Sequence, residues 1–161
     1  MSIESSMPVV LDRTDRRILE QLQRDGSLSN LELAERVGLS PSPCSRRVKA
    51  LQDSGIIEGY RAHLDARKLG LTLLAMIHIS MDKHTPERFA SFEKTVDACP
   101  EVLECYLITG QAADYMLKVI VRDMEDFQKL LLGTITRIEG VSGVHSSFVM
   151  RRVVDRSALP I

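Results

Sequence analysis

The stretch VGLSPSPCSRRV at residues 37–48 joins the end of one predicted helix to the start of another. Gly38 favours the left-handed conformation that ends a helix, because glycine has no Cβ. Ser40 and Pro41 then predict a new helix with a hydroxyl cap and a proline at its first position. Pro43 is also tolerated, since first-turn N–H groups have no helical acceptor. The spacing therefore predicts two helices joined by a two-residue turn.

Apolar residues also recur at helical spacing before this turn. Asp12 is expected to cap a first helix, and Gly26 to stop it. Ser29 and Glu32 have the spacing of a capping box, which starts a second helix. Three helices in about 45 residues, with a tight turn between the second and third, are typical of the helix-turn-helix. We assign residues 11–58 to such a domain.

The third predicted helix has two chemically different faces. At 100° per residue, Cys44, Val48 and Leu51 form an apolar stripe that faces the small core. The opposite face carries Ser42, Ser45, Arg46 and Lys49, with Arg47 at its flank. Short hydroxyls and basic side chains suit phosphates and base edges in the major groove of DNA. The pattern favours DNA binding; a solvated basic face on any small helical domain is the alternative.

The chain around this domain is predicted to be less regular. Residues 1–10 are expected to be a flexible N-terminus. Residues 56–64 have the character of an extended segment, either a short wing or a connecting strand. We assign residues 59–70 to a linker strand or hinge, and residues 154–161 to a C-terminal tail.

Residues 71–153 follow the order strand, helix, strand, strand, helix, strand. Apolar residues alternate from Leu71 to Met81, as expected of one face of a strand. Two apolar runs, Val102–Thr109 and Tyr115–Val121, are separated by a connection of hairpin length, and a last strand is expected to extend through Val153. This βαββαβ order is the ferredoxin-like plan. The predicted fold class is α+β, with an N-terminal winged helix-turn-helix.

Two helices can cover only one face of a four-stranded sheet. The other face, which includes Leu74 and Met76, needs a partner. A second copy of the chain is the simplest partner, so we expect at least a homodimer.

Composition excludes several classes of protein. Of the 161 residues, 44% are hydrophobic and 27% are charged, which excludes a disordered chain. No run approaches the roughly 18 apolar residues of a membrane helix, and no secretory signal is visible at the start. Aromatic residues make up only 4%, which disfavours base-stacking platforms for single strands. The net charge of −1 gives no global attraction to nucleic acid, so any such binding must use a local basic surface.

Neither metal nor catalytic chemistry is indicated. The three cysteines, Cys44, Cys99 and Cys105, have no CxxC spacing and are expected to be buried, which fits a reducing cytoplasm. The four histidines lack the spacing of a metal site. No nucleophile elbow or phosphate loop occurs, so we predict no enzyme, no metal and no cofactor.

The sequence resembles the leucine-responsive regulatory protein family, also called the Lrp/AsnC or feast/famine regulators. The resemblance covers about residues 11–153. It lies in LDRTD at 11–15, VGLSPSPC at 37–44, the pair Arg46-Arg47, GII at 55–57, LITG at 107–110 and DYMLKV at 114–119. It implies a DNA-binding transcriptional regulator with a C-terminal domain that binds amino acids. It also implies dimers, commonly assembled into octamers, that wrap or bend promoter DNA at the nucleoid.

The resemblance also implies functional residues. The DNA contacts map to Asn30, Ser40, Ser42, Ser45, Arg46, Arg47 and Lys49. The effector pocket, which lies between dimers in similar proteins, maps to Thr109, Gly110, Gln111 and Asp114, with Ser147 and Phe148 on the last strand. The loop from Gly110 to Asp114 is one residue longer than the usual Gly-x-x-Asp.

Two alternatives share parts of this pattern. A nucleoid-organising DNA binder without an effector would share every N-terminal feature. A small-molecule-binding or enzymatic ferredoxin-like protein would use its helical domain only to dock another protein.

Overall fold

The computed structural model describes residues 10–110 and 113–161. Five helices are α1 (Arg13–Arg24), α2 (Asn30–Val37), α3 (Pro41–Asp53), α4 (Pro86–Asp97) and α5 (Met124–Gly133). Four strands are β1 (Leu73–Met81), β2 (Val102–Leu107), β3 (Tyr115–Val121) and β4 (Val141–Phe148). The chain divides into two compact units. One is the described chain up to His63 together with Val154–Ile161, and the other is Leu64–Val153.

The helices of the first unit begin and end where the local chemistry predicts. Asp12 and Asp15 form a capping box at the start of α1, and Ser29 and Glu32 form another at the start of α2. Gly38 ends α2 with φ of +71°. The core that these helices enclose consists of Ile18, Leu19, Leu33, Ala34, Val37, Cys44 and Leu51.

The predicted linker segment does not form a strand within one copy of the chain. Residues 56–64 contain no strand, and residues 66–70 form a turn. The carboxylate of Asp65 starts this turn by accepting hydrogen bonds from the backbone N–H groups of Arg67 and Lys68. An extended segment becomes a strand only where a ladder partner is present, and the described chain supplies none here. The C-terminal tail was predicted as a separate segment, but it packs with the first unit.

The second unit is a four-stranded antiparallel sheet in the order β2-β3-β1-β4. With α4 after β1 and α5 after β3, this is the predicted ferredoxin-like βαββαβ topology. Alternate residues of the central strands are buried under the helices. Tyr115 lies at the centre of this core, where its ring packs against Phe89 and Phe92 and its hydroxyl donates to the Glu93 carboxylate.

Some boundaries and one burial prediction were wrong. The last strand ends at Phe148 rather than Val153, and β1 begins at Leu73 rather than Leu71. Cys105 is exposed, although Cys44 and Cys99 are buried as expected. The reason is its position on β2, an edge strand with a neighbour on one side only. Among the described helices, none is long and apolar enough to cross a membrane.

Within the second unit, both helices pack on one face of the sheet, and no described helix of this unit packs on the other. Register places alternate residues of all four strands on this open face: Leu74, Met76, His78 and Ser80 of β1, Met116, Lys118 and Ile120 of β3, Glu104 and Tyr106 of β2, and Gly143, His145 and Ser147 of β4. Lys118 pairs with Glu104 across this face at 2.7 Å. We refer to these residues as the open face.

Candidate functional site

The turn that orients α3 is built by backbone and side-chain contacts together. The left-handed Gly38 lets the N–H of Leu39 reach the carbonyl of Ala34 at 2.9 Å. The side-chain amide of Asn30 donates to the carbonyl of Pro41 at 2.9 Å. Asn30, predicted to contact DNA, therefore holds the start of α3 in place. These contacts fix the N-terminus of α3 against α2.

The expected hydroxyl cap at the start of α3 is absent. Ser40 occupies the N-cap position, but its side chain makes no capping hydrogen bond. The carbonyl of Ser40 instead accepts the first helical hydrogen bond, from the N–H of Cys44. Two prolines in the first turn remove N–H groups that a cap would otherwise satisfy. The Ser40 hydroxyl is exposed and keeps its hydrogen-bonding capacity for other contacts.

The polar face of α3 consists of Ser42, Ser45, Arg46 and Lys49, all of which are exposed. Within the described residues Arg46 forms no ion pair. Lys49 pairs with Asp53 one turn later at 3.2 Å, in an exposed contact of low energy. The opposite side packs into the core through Cys44 and Leu51. The helix thus presents short hydroxyls and two basic side chains outward from a rigid support.

Arg47 does not share the situation of Arg46. Its Nη1 lies 2.7 Å from an oxygen of Asp12 and 2.7 Å from an oxygen of Asp15. Hydrogen bonds to Asp15 and Asp12 raise the pKa of the Arg47 guanidinium. The backbone N–H of Asp15, and then Arg47 itself, lower the pKa of the Asp12 carboxyl. The guanidinium of Arg47, predicted to contact DNA, is thus bound to two carboxylates at the start of α1.

The loop between β2 and β3 carries the first group of predicted effector residues. Thr109 and Gly110 are exposed, and Gly110 has φ of +84°, a conformation that other residues rarely adopt. Gln111 lies outside the described residues. The loop is anchored by the N–H of Ile108, which donates to the carbonyl of Asp114 at 2.8 Å.

Both carboxylate oxygens of Asp114 already have partners. Oδ2 accepts from the backbone N–H of Met81 at 2.7 Å, and Oδ1 lies 2.8 Å from Nε2 of His84. The Met81 contact is partly buried, whereas the His84 side chain is 67% exposed. Met81 and His84 were not predicted as partners of Asp114. They lie about 30 residues before it in the chain, and only the sheet register brings them close. No sequence motif marks this contact.

Ser147 and Phe148 do not meet this loop within one copy of the chain. Ser147 pairs with Met76 and Phe148 with Ala75, whereas Asp114 contacts the opposite end of β1. At about 3.3 Å per residue, the two groups lie at least about 10 Å apart along the strand. The ring of Phe148 is half-exposed and packs edge-on against Phe127 at a centroid distance of 5.0 Å. No group of three metal-ligating side chains occurs within residues 10–110 and 113–161.

Comparison with known families matches both units. The family model described as the Lrp/AsnC ligand binding domain matches residues 74–159. The model described as winged helix-turn-helix DNA-binding matches residues 11–58. Both functional regions described above lie within these matches.

Known proteins are similar over almost the whole chain. The leucine-responsive regulatory protein of Escherichia coli strain K12 is 42% identical over 151 residues, which are 94% of this chain and 92% of that protein. A transcriptional regulator from Neisseria meningitidis, solved in complex with L-Met, has 42% identity and a TM-score of 0.90, covering 94% of this chain and 97% of that one. An AsnC family regulator from Agrobacterium tumefaciens has 35% identity and a TM-score of 0.88, covering 93% and 97% of the two chains. All three relatives are named as regulatory proteins, and the two solved structures as transcriptional regulators.

Proposed function

Since the chain belongs to the Lrp/AsnC family of DNA-binding transcriptional regulators, we propose that α3 reads promoter DNA in the major groove and that an amino acid bound by the second unit controls this binding. The observation that carries the proposal is the polar face of α3, exposed on a helix whose other side is packed in the core. A helix must expose one side along its length to enter the groove.

We assign different roles to the residues of the polar face. Arg46 is exposed and unpaired within the described residues, so its guanidinium is available for a bidentate contact with guanine. Lys49 suits a phosphate, which a flexible ammonium contacts as a point charge. Ser42 and Ser45, with the uncapped hydroxyl of Ser40, suit phosphates or base edges near the helix N-terminus.

Gel-shift and fluorescence-anisotropy titrations of the full chain test these roles. Arg46→Ala is expected to weaken binding to a selected operator by about 1–3 kcal/mol and to relax its sequence preference. Lys49→Ala is expected to weaken all sequences similarly and to reduce the salt slope by about one unit. If both variants bind like the wild type, α3 is not the recognition helix.

We propose that the effector site begins at the loop of Thr109, Gly110 and Asp114. The Neisseria meningitidis relative was solved with L-Met, so an amino acid is the ligand class to test first. Loop N–H groups near a glycine suit a carboxylate, and a carboxylate suits an ammonium group. Asp114 would accept that ammonium by giving up His84, because the exposed contact costs less to break than the partly buried one to Met81.

Isothermal titration of the full chain with L-Met and the other common amino acids tests this site. Gly110→Val should abolish amino-acid binding, because valine is strained at a φ of +84°. Asp114→Ala should abolish it through loss of the ammonium acceptor. Ligand-free DNA binding should persist in both variants. Unchanged amino-acid binding in the variants would show that the pocket lies elsewhere. No binding by any of the three proteins would favour a nucleoid-organising DNA binder without an effector.

We further propose that the chain works as a homodimer or a larger even-numbered assembly, such as an octamer. The uncovered open face supports self-association. Because Asp114 and Ser147 lie far apart in one copy, Ser147 and Phe148 would join the pocket only from a neighbouring copy. A regulator that binds promoter DNA in this way acts in the cytoplasm at the nucleoid.

A further inference from the structure

The two carboxylates that hold Arg47 belong to another helix. Asp12 and Asp15 lie 35 and 32 residues before Arg47 in the chain, at the start of α1. Both contacts are made by the same nitrogen, Nη1, at 2.7 Å. The guanidinium therefore links the middle of the recognition helix to the first turn of α1.

Backbone hydrogen bonds hold the two carboxylates in place independently of Arg47. The Asp12 carboxylate accepts from the N–H of Asp15 at 2.8 Å, and the Asp15 carboxylate accepts from the N–H of Asp12 at 3.2 Å. Asp15 is only 17% exposed. The Asp12 side chain is 52% exposed. An ion pair with prearranged partners loses less side-chain entropy than an exposed pair between two flexible side chains. The Lys49–Asp53 pair on the same helix is of the exposed kind.

The direction of the side chain supports the same conclusion. At 100° per residue, Arg47 lies about 150° from the centre of the polar face and about 65° from the apolar stripe. To reach DNA bound at the polar face, it would have to leave both carboxylates and turn around the helix. Arg46, the next residue along, needs no such change.

We propose that Arg47 is a positioning residue of the recognition helix, which sets the rotation of α3 against α1 through Asp12 and Asp15 and makes no DNA contact itself. This inference rests on the proposal that α3 reads DNA. Arg46 then contacts DNA and Arg47 positions the helix, although the sequence pattern predicts a DNA contact for both.

Charge offers a way to distinguish positioning from electrostatics. Asp12 and Asp15 are negative groups close to the DNA-binding helix, so by charge alone their removal should tighten binding. If they position α3 through Arg47, their removal should weaken specific binding instead. Asparagine suits this test, because its side-chain oxygen still accepts the backbone N–H groups and keeps the helix cap.

The experiment measures binding of the full chain to a duplex that the wild type selects from a random pool, and to an unselected duplex, over a range of salt concentrations. Lys49→Ala is the matched control, since it removes the same charge from the proposed phosphate contact on the same helix. It should reduce the salt slope by about one unit. Arg47→Ala should weaken the selected duplex about tenfold while its salt slope stays that of the wild type. Arg47→Lys should restore part of the loss.

The double variant Asp12→Asn with Asp15→Asn should weaken the selected duplex like Arg47→Ala, despite its loss of two negative charges near the DNA. Thermal unfolding of each variant checks that it is folded. If Arg47→Ala is unfolded, binding by the double variant still tests the proposal. A salt slope that falls by one unit in Arg47→Ala, or tighter binding by the double variant, would overturn the proposal. Wild-type binding by Arg46→Ala and Lys49→Ala would refute the recognition-helix assignment, and with it the role of Arg47.

Discussion

Asp114 shows how a single residue can combine a structural and a ligand-binding role. Its sequence position, four residues after Gly110, suggests a free acceptor for an ammonium group. In the fold it closes the end of β1 through the N–H of Met81 and holds His84 at the surface. Local pattern identified the residue type and the loop. The partners depend on sheet register, which a single sequence does not show.

The two contacts of Asp114 should differ in energy. Asp114→Ala leaves the partly buried N–H of Met81 without its acceptor and should lower the free energy of unfolding by about 1–3 kcal/mol. His84→Ala removes the exposed contact, together with a tilted ring contact to Phe89, and should change the free energy of unfolding by less than about 1 kcal/mol. Urea unfolding monitored by circular dichroism measures both. Equal destabilisation would show that the His84 contact is as strong as the backbone one.

Cys105 should be the one cysteine that reacts in the native protein. Cys44 is fully buried and Cys99 is 9% exposed, whereas Cys105 is exposed on the edge strand. Lost hydration around its sulfur, reinforced by the charge of Glu93, nevertheless raises the pKa of the Cys105 thiol to about 11. Because the thiolate is the reactive form, maleimide labelling should continue to accelerate above pH 9 instead of levelling off near 8.5. Labelling of a native Cys105→Ser variant would contradict this assignment.

At the scale of elements, local chemistry predicted the helices better than the strands. Asp12 and Ser29 both cap helices as expected, because a cap involves residues only three positions apart. Strand ends depend on which partner strand is present, so β4 stopped short of Val153. The missing linker strand has the same cause. Each residue of the polar face of α3 was predicted, but the ion pairs of Arg47 with Asp12 and Asp15 of α1 were not.

The capping box of α2 should make the first unit sensitive to acid. Hydrogen bonds from the Ser29 hydroxyl and then from its backbone N–H lower the pKa of Glu32 below its ordinary value of 4.5. A lowered pKa in the folded state adds stability above pH 4.5, and this stability is lost as the pH falls through the folded pKa. The wild type should therefore lose stability between about pH 5 and pH 3.

The variant Ser29→Ala isolates this contribution. It should destabilise the first unit by about 1 kcal/mol at neutral pH, the usual loss for an N-cap hydroxyl. It should also lose less stability than the wild type on acidification, because Glu32 keeps fewer of its hydrogen bonds. Urea midpoints at several pH values between 3 and 7 measure the difference. Parallel pH profiles for the two proteins would show that Glu32 does not contribute.

At the scale of the whole molecule, the helices of the second unit cover one face of the sheet only. The helices bury alternate residues of β1 and β3, while the open face keeps Leu74, Met76, Met116 and Ile120 partly exposed. Among the described residues of this face, Lys118 and Glu104 form an ion pair within the chain. Burial of these apolar side chains against a second copy would stabilise a dimer.

The open face therefore predicts how assembly should respond to a single charge. Met76 lies on a central strand of this face, opposite Lys118, which already pairs with Glu104. Met76→Asp would therefore place an additional carboxylate inside a dimer interface, where burial of a charge is costly. Sedimentation velocity at micromolar concentration should show the wild type as a dimer or larger even-numbered assembly and Met76→Asp shifted toward monomer. Ala90→Asp, which adds the same charge on the exposed side of α4, is the control and should assemble like the wild type. If Met76→Asp also assembles like the wild type while thermal unfolding shows both variants to be folded, the copies do not meet through this face, and assembly must use another surface such as the edge of β2.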